Sequence, residues 1–177
     1  MDEKLIKKAV KGNFNAYSIL VNELKSDGYK LAYTILKNEQ DSIDAYLQAV
    51  EKGLKNIKNL KEVKYFKTWF LKIVINEAKN IISKNIISKN SKVIYLEDVK
   101  DLKEDKEINR ENKIDLEKSL QSIDPQTREM IKMKYYMGYK LEEIAQILDL
   151  SIGMVKGKMY TALKNMRKEL SDSENRG

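Results

Sequence analysis

The sequence predicts an all-α protein made of two small helical domains joined by a flexible linker. Three observations carry that prediction. The 177 residues include one proline and seven glycines, too little punctuation for a strand-and-turn architecture. Apolar residues recur mainly at three- and four-residue spacing, the helical period, and rarely alternate. Between residues 83 and 115 that period gives way to dense charge with few aromatics, the composition of a tether.

The elements follow in chain order. Residues 1–82 read as one helical block, in which "EKLIKKAV" (3–10), "NAYSILVNELKSDGYKLAYTILK" (15–37), "DSIDAYLQAVEKGLKNI" (41–57) and "VKYFKTWFLKIVINEAKNII" (63–82) carry the pattern. Phe66, Trp69, Phe70, Ile73 and Val74 have helical spacing and are assigned to its core. The linker, 83–115, holds 8 basic and 8 acidic residues and overlaps a tandem "NIISK" at 80–84 and 85–89. A C-terminal domain is expected at 116–170, and 171–177, "SDSENRG", as a disordered tail.

Within the C-terminal domain two short amphipathic helices meet at a corner. In the first, Leu141 to Leu148, the inward residues are Ile144, Ala145, Ile147 and Leu148. Glu142 and Glu143 occupy its first turn, where the helix dipole favours acids. Asp149 and Leu150 make the turn, and Ser151 is a fitting N-cap. The second helix runs from Ile152 to about Leu170, with Val155, Met159, Ala162, Leu163, Met166 and Leu170 inward. Three positions fit a helix-turn-helix. Ala145 is small where the helices cross, Asp149 tolerates left-handed backbone four residues on, and branched Val155 follows the turn.

A helix in that second position lies in the DNA major groove. Stepping about 100° per residue from inward Val155 turns Gly153, Met154, Lys156, Gly157, Tyr160, Thr161 and Lys164 outward, with Lys158 on the flank. Lysines there suit phosphates, and Tyr160 and Thr161 suit bases or sugar.

Composition narrows the function. With 34 Lys+Arg against 27 Asp+Glu, the net charge is +7, which favours a polyanionic partner, nucleic acid first. There is no cysteine and no histidine, so thiolate metal sites and the commonest general base are missing. No carboxylate constellation with metal spacing stands outside the linker. The expectation is a protein that is not an enzyme, with no cofactor, no metal and no small-molecule substrate. "MDEKLIKKAV" lacks the apolar stretch of a signal peptide, and no apolar run approaches the roughly 20 residues of a membrane span, so a cytoplasmic protein is expected.

At this point the sequence resembles a known family. "SIDPQTREMIKMKYYMGYKLEEIAQILDLSIGMVKGKMYTALKNMRKEL" (122–170) is similar to region 4 of the sigma-70 family of bacterial transcription initiation factors. "FNAYSILVNELKSDGYKLAYTILKNEQDSIDAYLQAVEKGLKNIKNLKEVKYFKTWFLKIVINEAKNII" (14–82) is similar to region 2. Region 2, a linker and region 4 is the layout of the extracytoplasmic-function group.

The resemblance implies partners and sites. Core RNA polymerase would be met at its clamp helices and flap, promoter DNA at two elements, and an anti-sigma factor would hold the protein inactive. For the −35 element it implies Met154, Lys156, Gly157, Lys158, Tyr160, Thr161 and Lys164, with Arg128 and Lys140 as lesser phosphate contacts. For the −10 element it implies Lys61, Lys64, Tyr65, Lys67, Thr68, Asn76 and Lys79. For the polymerase it implies Asp44, Leu47, Gln48 and Glu51, where Leu47 and Gln48 replace the family's usual Gln–Glu pair. Two other readings stay open. A stand-alone helix-turn-helix regulator would need a sensory or interaction domain in 1–82. A nuclease would need a cluster of carboxylates.

Overall fold

A computed structural model describes residues 1–88 and 123–174, with side chains undescribed at 87–88 and 169–174. The chain divides into two compact units, one built on the N-terminal helices and one on the C-terminal helices. The described residues are helical, with no strand among them. None of these helices is long and apolar enough to cross a membrane.

The N-terminal unit contains α1 (Glu3–Val10), α2 (Phe14–Glu23), α3 (Lys25–Leu36), α4 (Glu39–Asn56) and α5 (Phe66–Ser88), with single 3-10 turns at Ile57–Asn59 and Val63–Tyr65. Short polar side chains start the helices. Asp2, Asn13 and Asn38 each accept a backbone N–H of their own first turn, at 2.8, 2.8 and 2.9 Å, satisfying donors that the helix leaves orphaned. The segment expected at 15–37 is broken at buried Leu24, whose N–H bonds to the Val21 carbonyl three residues back at 3.0 Å. That tight bond ends α2 and redirects the chain into α3.

Helices α3, α4 and α5 pack against one another, and α1 packs on α2. Leu31, Ala32, Ala45, Ala49, Phe66, Phe70, Leu71, Val74 and Ala78 are fully buried. The alanines on α4 let neighbouring helices come close; the aromatics on α5 fill the space. Of the five residues expected in the α5 core, Phe66, Phe70 and Val74 are buried, whereas Trp69 and Ile73 are only half-buried. They lie about 100° and 60° round the helix from Phe70, at the margin of the buried stripe.

Two tyrosines brace α2 to α4 reciprocally. Tyr17 of α2 donates its phenol to the Val50 carbonyl of α4 at 2.7 Å, and Tyr46 of α4 donates to the Val21 carbonyl of α2 at 2.5 Å. Each tyrosine lies close against a glycine, Tyr17 by its hydroxyl and Tyr46 by its ring. A Cβ at Gly53 would collide with the Tyr17 hydroxyl, and one at Gly28 would stand 2.7 Å from the Tyr46 ring. Tyr46 also meets Phe70 of α5 edge-to-face, centroids 5.9 Å apart. One ion pair reinforces α4 against α5: Lys52 holds Glu77, whose side chain is 9% exposed, at 2.6 Å.

The C-terminal unit contains α6 (Pro125–Tyr135), α7 (Leu141–Leu148) and α8 (Ile152–Glu174). Asp124 caps α6 through the Thr127 N–H at 3.1 Å, with Pro125 at the first helical position, where its missing N–H costs nothing. Helix α6 packs on α8, burying Met130, Met133, Val155, Met159, Ala162 and Met166 within the unit.

Two helices run further than expected. Helix α5 runs to Ser88, six residues into the expected linker, because no Gly or Pro stops it there. Helix α8 runs to Glu174, into the expected tail, for the same reason. The remainder of the expected linker, the first residues of the expected C-terminal domain and residues 175–177 lie outside the described residues. Leu163 is 36% exposed rather than inward; it sits about 80° from Val155, beyond the buried stripe. The side chain of Leu170, also expected inward, lies outside those described.

Adding a methyl group at either tyrosine seat overpacks the bundle. Gly28→Ala and Gly53→Ala are each expected to lower stability by about 1–3 kcal/mol in urea denaturation. Gly157→Ala, where nothing lies within 4 Å, is expected to gain up to about 1 kcal/mol. The braces also predict a pH dependence. Burial raises the Tyr46 pKa to about 12 and raises that of Tyr17 as well, against about 10 in an unfolded chain. Below pH 10 both phenols are protonated in either state. Above it the unfolded chain releases protons that the folded chain keeps, so stability falls as pH rises from 10 toward 12. Urea titrations at stepped pH are expected to show a shallower alkaline fall in the Tyr17→Phe, Tyr46→Phe double variant.

Candidate nucleic-acid interface

The corner expected of a helix-turn-helix is present. Ser151 caps α8 by accepting the Met154 N–H at 3.2 Å. Glu143 reaches back to accept the Lys140 N–H at 2.8 Å, the acidic half of a capping box. Asp149 stands at φ 59°, ψ 44°, the left-handed conformation, and its neighbour Leu150 donates to the Ala145 carbonyl at 2.9 Å. Ile144, Ala145, Ile147, Leu148 and Val155 are buried.

Every residue placed outward on α8 is exposed: Gly153, Met154, Lys156, Gly157, Tyr160, Thr161 and Lys164. Lys158 is half-buried, its ammonium 3.8 Å from the Asp124 carboxylate. The face therefore carries two open lysines, Lys156 at one edge and Lys164 near its middle, and a third turned toward α6. Arg128, a lesser candidate, donates to the Ile123 carbonyl at 3.0 Å, so that guanidinium is occupied in holding the start of α6. Lys140 is exposed.

In the N-terminal unit the residues expected at the −10 element separate into two groups. Asn76 and Lys79 stand about 60° apart around α5, Tyr65 lies in the 3-10 turn just before it, and all three are exposed. Lys64 lies over the Tyr65 ring at 4.8 Å and pairs with Glu62 at 2.8 Å, so charge and aromatic surface are juxtaposed. Thr68, on the same side, is buried, and its hydroxyl donates to the Tyr65 carbonyl at 3.1 Å. Lys67 lies round the helix, paired with Asp27 of α3 at 3.1 Å. Lys61 is exposed in the preceding loop. Sequence reasoning left out Trp69 and Lys72. Both are half-buried and border the Tyr65–Asn76 face. Only the angular count of α5, once its buried stripe is known, brings them there.

Helix α4 presents a different surface. Ile43, Leu47 and Leu54 are 43%, 57% and 37% exposed, and half-buried Val50 stands between them. The spacing of four, three and four residues aligns them in one narrow strip, the pattern of a coiled-coil seam. Along one edge lie Asp44, Gln48 and Glu51, three of the four residues expected to meet polymerase; Leu47 is in the strip itself. Glu51 is held by Lys55 at 2.5 Å, an exposed pair that lowers the carboxyl pKa.

Comparisons with known proteins bear on the family and the fold. The family described as "Sigma-70, region 4" matches residues 113–166, which include α6, α7 and most of α8. RNA polymerase sigma factor SigV of Bacillus subtilis strain 168 is 29% identical over 87% of this chain and 90% of its own length. ECF RNA polymerase sigma factor SigW of the same strain is 26% identical over 97% of this chain and 98% of its own. Among solved structures, CnrH in complex with the cytosolic domain of CnrY has a TM-score of 0.66 at 19% identity, covering 97% of both chains. Sigma factor RpoE with the anti-sigma factor NepR from Bartonella quintana has a TM-score of 0.65 at 19% identity, covering 85% of this chain and 95% of that one. The two structures establish likeness of fold; the relatives extend the similarity through both units.

The left-handed residue at the corner gives a direct test. Asp149→Val places a β-branched side chain at positive φ, which is expected to lower stability by about 1–2 kcal/mol in urea denaturation and to weaken DNA binding in parallel.

Proposed function

We infer that the chain is a sigma-70 family factor of the extracytoplasmic-function type. It binds core RNA polymerase and directs promoter-specific transcription initiation. The observation that carries this reading is the pairing of a helix-turn-helix bearing an exposed basic face with a separate helical unit that the relatives share. A stand-alone regulator has no reason to resemble sigma factors across its N-terminal unit, so that alternative is not favoured.

In this reading α8 lies in the major groove of the −35 element. Lys156 and Lys164 meet phosphates, and Met154, Tyr160 and Thr161 approach base edges or sugar. Lys158 contributes after release from, or together with, Asp124. Opening the −10 element loses stacking of about 1.4 kcal/mol per base-pair step. Capture of unstacked bases on aromatic and basic groups offsets that loss. Tyr65, with Asn76 and Lys79 beside it, is the candidate surface for capture; Lys61 and Lys64 track the backbone. Buried Thr68 and paired Lys67 support the shape of that surface.

The strip on α4 is the candidate polymerase contact. Burying Leu47 supplies apolar area where the family's usual pair supplies hydrogen bonds, and Asp44, Gln48 and Glu51 border it. We read the chain as a binding protein rather than an enzyme, as its sigma-factor relatives are. It acts in the cytoplasm beside its polymerase. That two similar structures are complexes with the CnrY cytosolic domain and with NepR supports control by an anti-sigma partner.

The test is multi-round transcription with the protein, sigma-free core polymerase and sheared genomic DNA from its source, followed by sequencing of 5′ ends. Discrete starts sharing upstream motifs, and dependent on the protein, are expected. DNA binding without such starts would overturn the reading. For the −35 surface, Lys156→Ala with Lys158→Ala is expected to weaken promoter binding and to reduce the slope of log K against log salt by about 2; an unchanged slope refutes the phosphate assignment.

A further inference from the structure

The outward face of α8 has a chemistry that narrows what it reads. Counted from buried Val155 at about 100° per residue, Gly153, Gly157, Tyr160 and Lys164 occupy the middle of the exposed face. Met154 and Thr161 line one edge and Lys156 the other. From Ile152 to Lys164 there is no Asn, Gln, Arg, Asp or Glu. The amide that recognises adenine by two hydrogen bonds is therefore missing from the first three turns, and so is the carboxylate that accepts from cytosine. What remains is lysine, for guanine acceptors or phosphate, and apolar methyl groups, for the thymine C5-methyl.

Met154 is 51% exposed in the turn that a helix-turn-helix directs at base edges. Its flank is open. No atom outside the local helix backbone lies near Gly157, and the only neighbour of Gly153 is Ser151 Oγ at 3.9 Å. About half of the Met154 side chain is therefore open to a partner. Exposed lysines at 156 and 164 supply the charge complementarity that brings duplex DNA to this face.

We propose that Met154 and Thr161 are specificity-determining residues that read thymine methyl groups in the −35 element. This rests on the sigma-factor reading above and specifies its base chemistry. The two residues are seven apart, about 10 Å along the helix axis, far enough to meet different bases. The element should therefore hold two separate methyl-bearing positions, with guanine recognition assigned to lysine.

The experiment uses the full chain with core polymerase on a promoter found by the 5′-end mapping. Duplex probes carry uracil in place of each −35 thymine, one at a time; this deletes one methyl and keeps every hydrogen-bonding group. Loss of roughly four-fold in affinity is expected at each of two positions, the effect of one buried methyl. Met154→Ala should abolish the sensitivity at one position. Thr161→Ser, which removes a methyl and keeps the hydroxyl, should abolish it at the other. Both side chains are exposed, and thermal melts should match the parent protein. Affinity within two-fold at every uracil position would overturn the proposal, as would uracil sensitivity that persists in both variants. Absence of any protein-dependent start would overturn the underlying function itself, a separable outcome.

Discussion

The N-terminal unit depends on the exchange of two phenol hydrogen bonds between α2 and α4. Tyr17 and Tyr46 each bond a carbonyl on the other's helix, and each needs a glycine close by, Gly53 against the Tyr17 hydroxyl and Gly28 against the Tyr46 ring. A buried hydroxyl without a partner is destabilising, so the two bonds fix not only the distance between the helices but their axial register. From that register follows which face of α4 is left outside. Tyr46 and Ala49 point inward and the strip from Ile43 to Leu54 points out. The Tyr46–Phe70 contact and the Lys52–Glu77 pair extend the same register to α5, and so to the orientation of Tyr65, Asn76 and Lys79. The candidate polymerase and −10 surfaces are therefore positioned by one brace.

How much was legible in advance depended on whether the signal was local. The corner at 149–151 was read correctly because capping and left-handed backbone are properties of a few adjacent residues: Ser151 caps and Asp149 adopts positive φ. The outward residues of α8 followed from one angular count. Leu163 failed that count because it sits at the stripe's edge, where hydrophobicity and angle disagree. Trp69 failed for the related reason that core membership was inferred from spacing without knowing which neighbours cover the flank. The tyrosine seats left no local signal. Gly28 and Gly53 have no unusual backbone requirement, and only the approach of a ring from another helix gives them a role. Likewise the helical ends at Ser88 and Glu174 leave no local mark, because polar composition suggests a tether there while no Gly or Pro stops the helix.

The two candidate DNA surfaces are built by different means. On α8 the groups project from a regular helix, and their arrangement is that of the helix period. On the N-terminal unit the groups come from a 3-10 turn and from a long helix that also carries the core, so each side chain serves packing or display according to its angle. Thr68 and Lys67 show the competition. Both are polar, yet one hydroxyl bonds the backbone of the preceding turn and one ammonium pairs with Asp27. A polar residue beside a functional surface is as often part of its support.

The strip on α4 also bears on the protein when it is alone. Ile43, Leu47 and Leu54 on one face of one helix offer a sticky line to any other apolar helix, including that of another copy. The net charge of +7 opposes such encounters at long range but is screened within about 8 Å at physiological ionic strength. Close approach of two unbound copies is consequently left to this line, where apolar burial favours association.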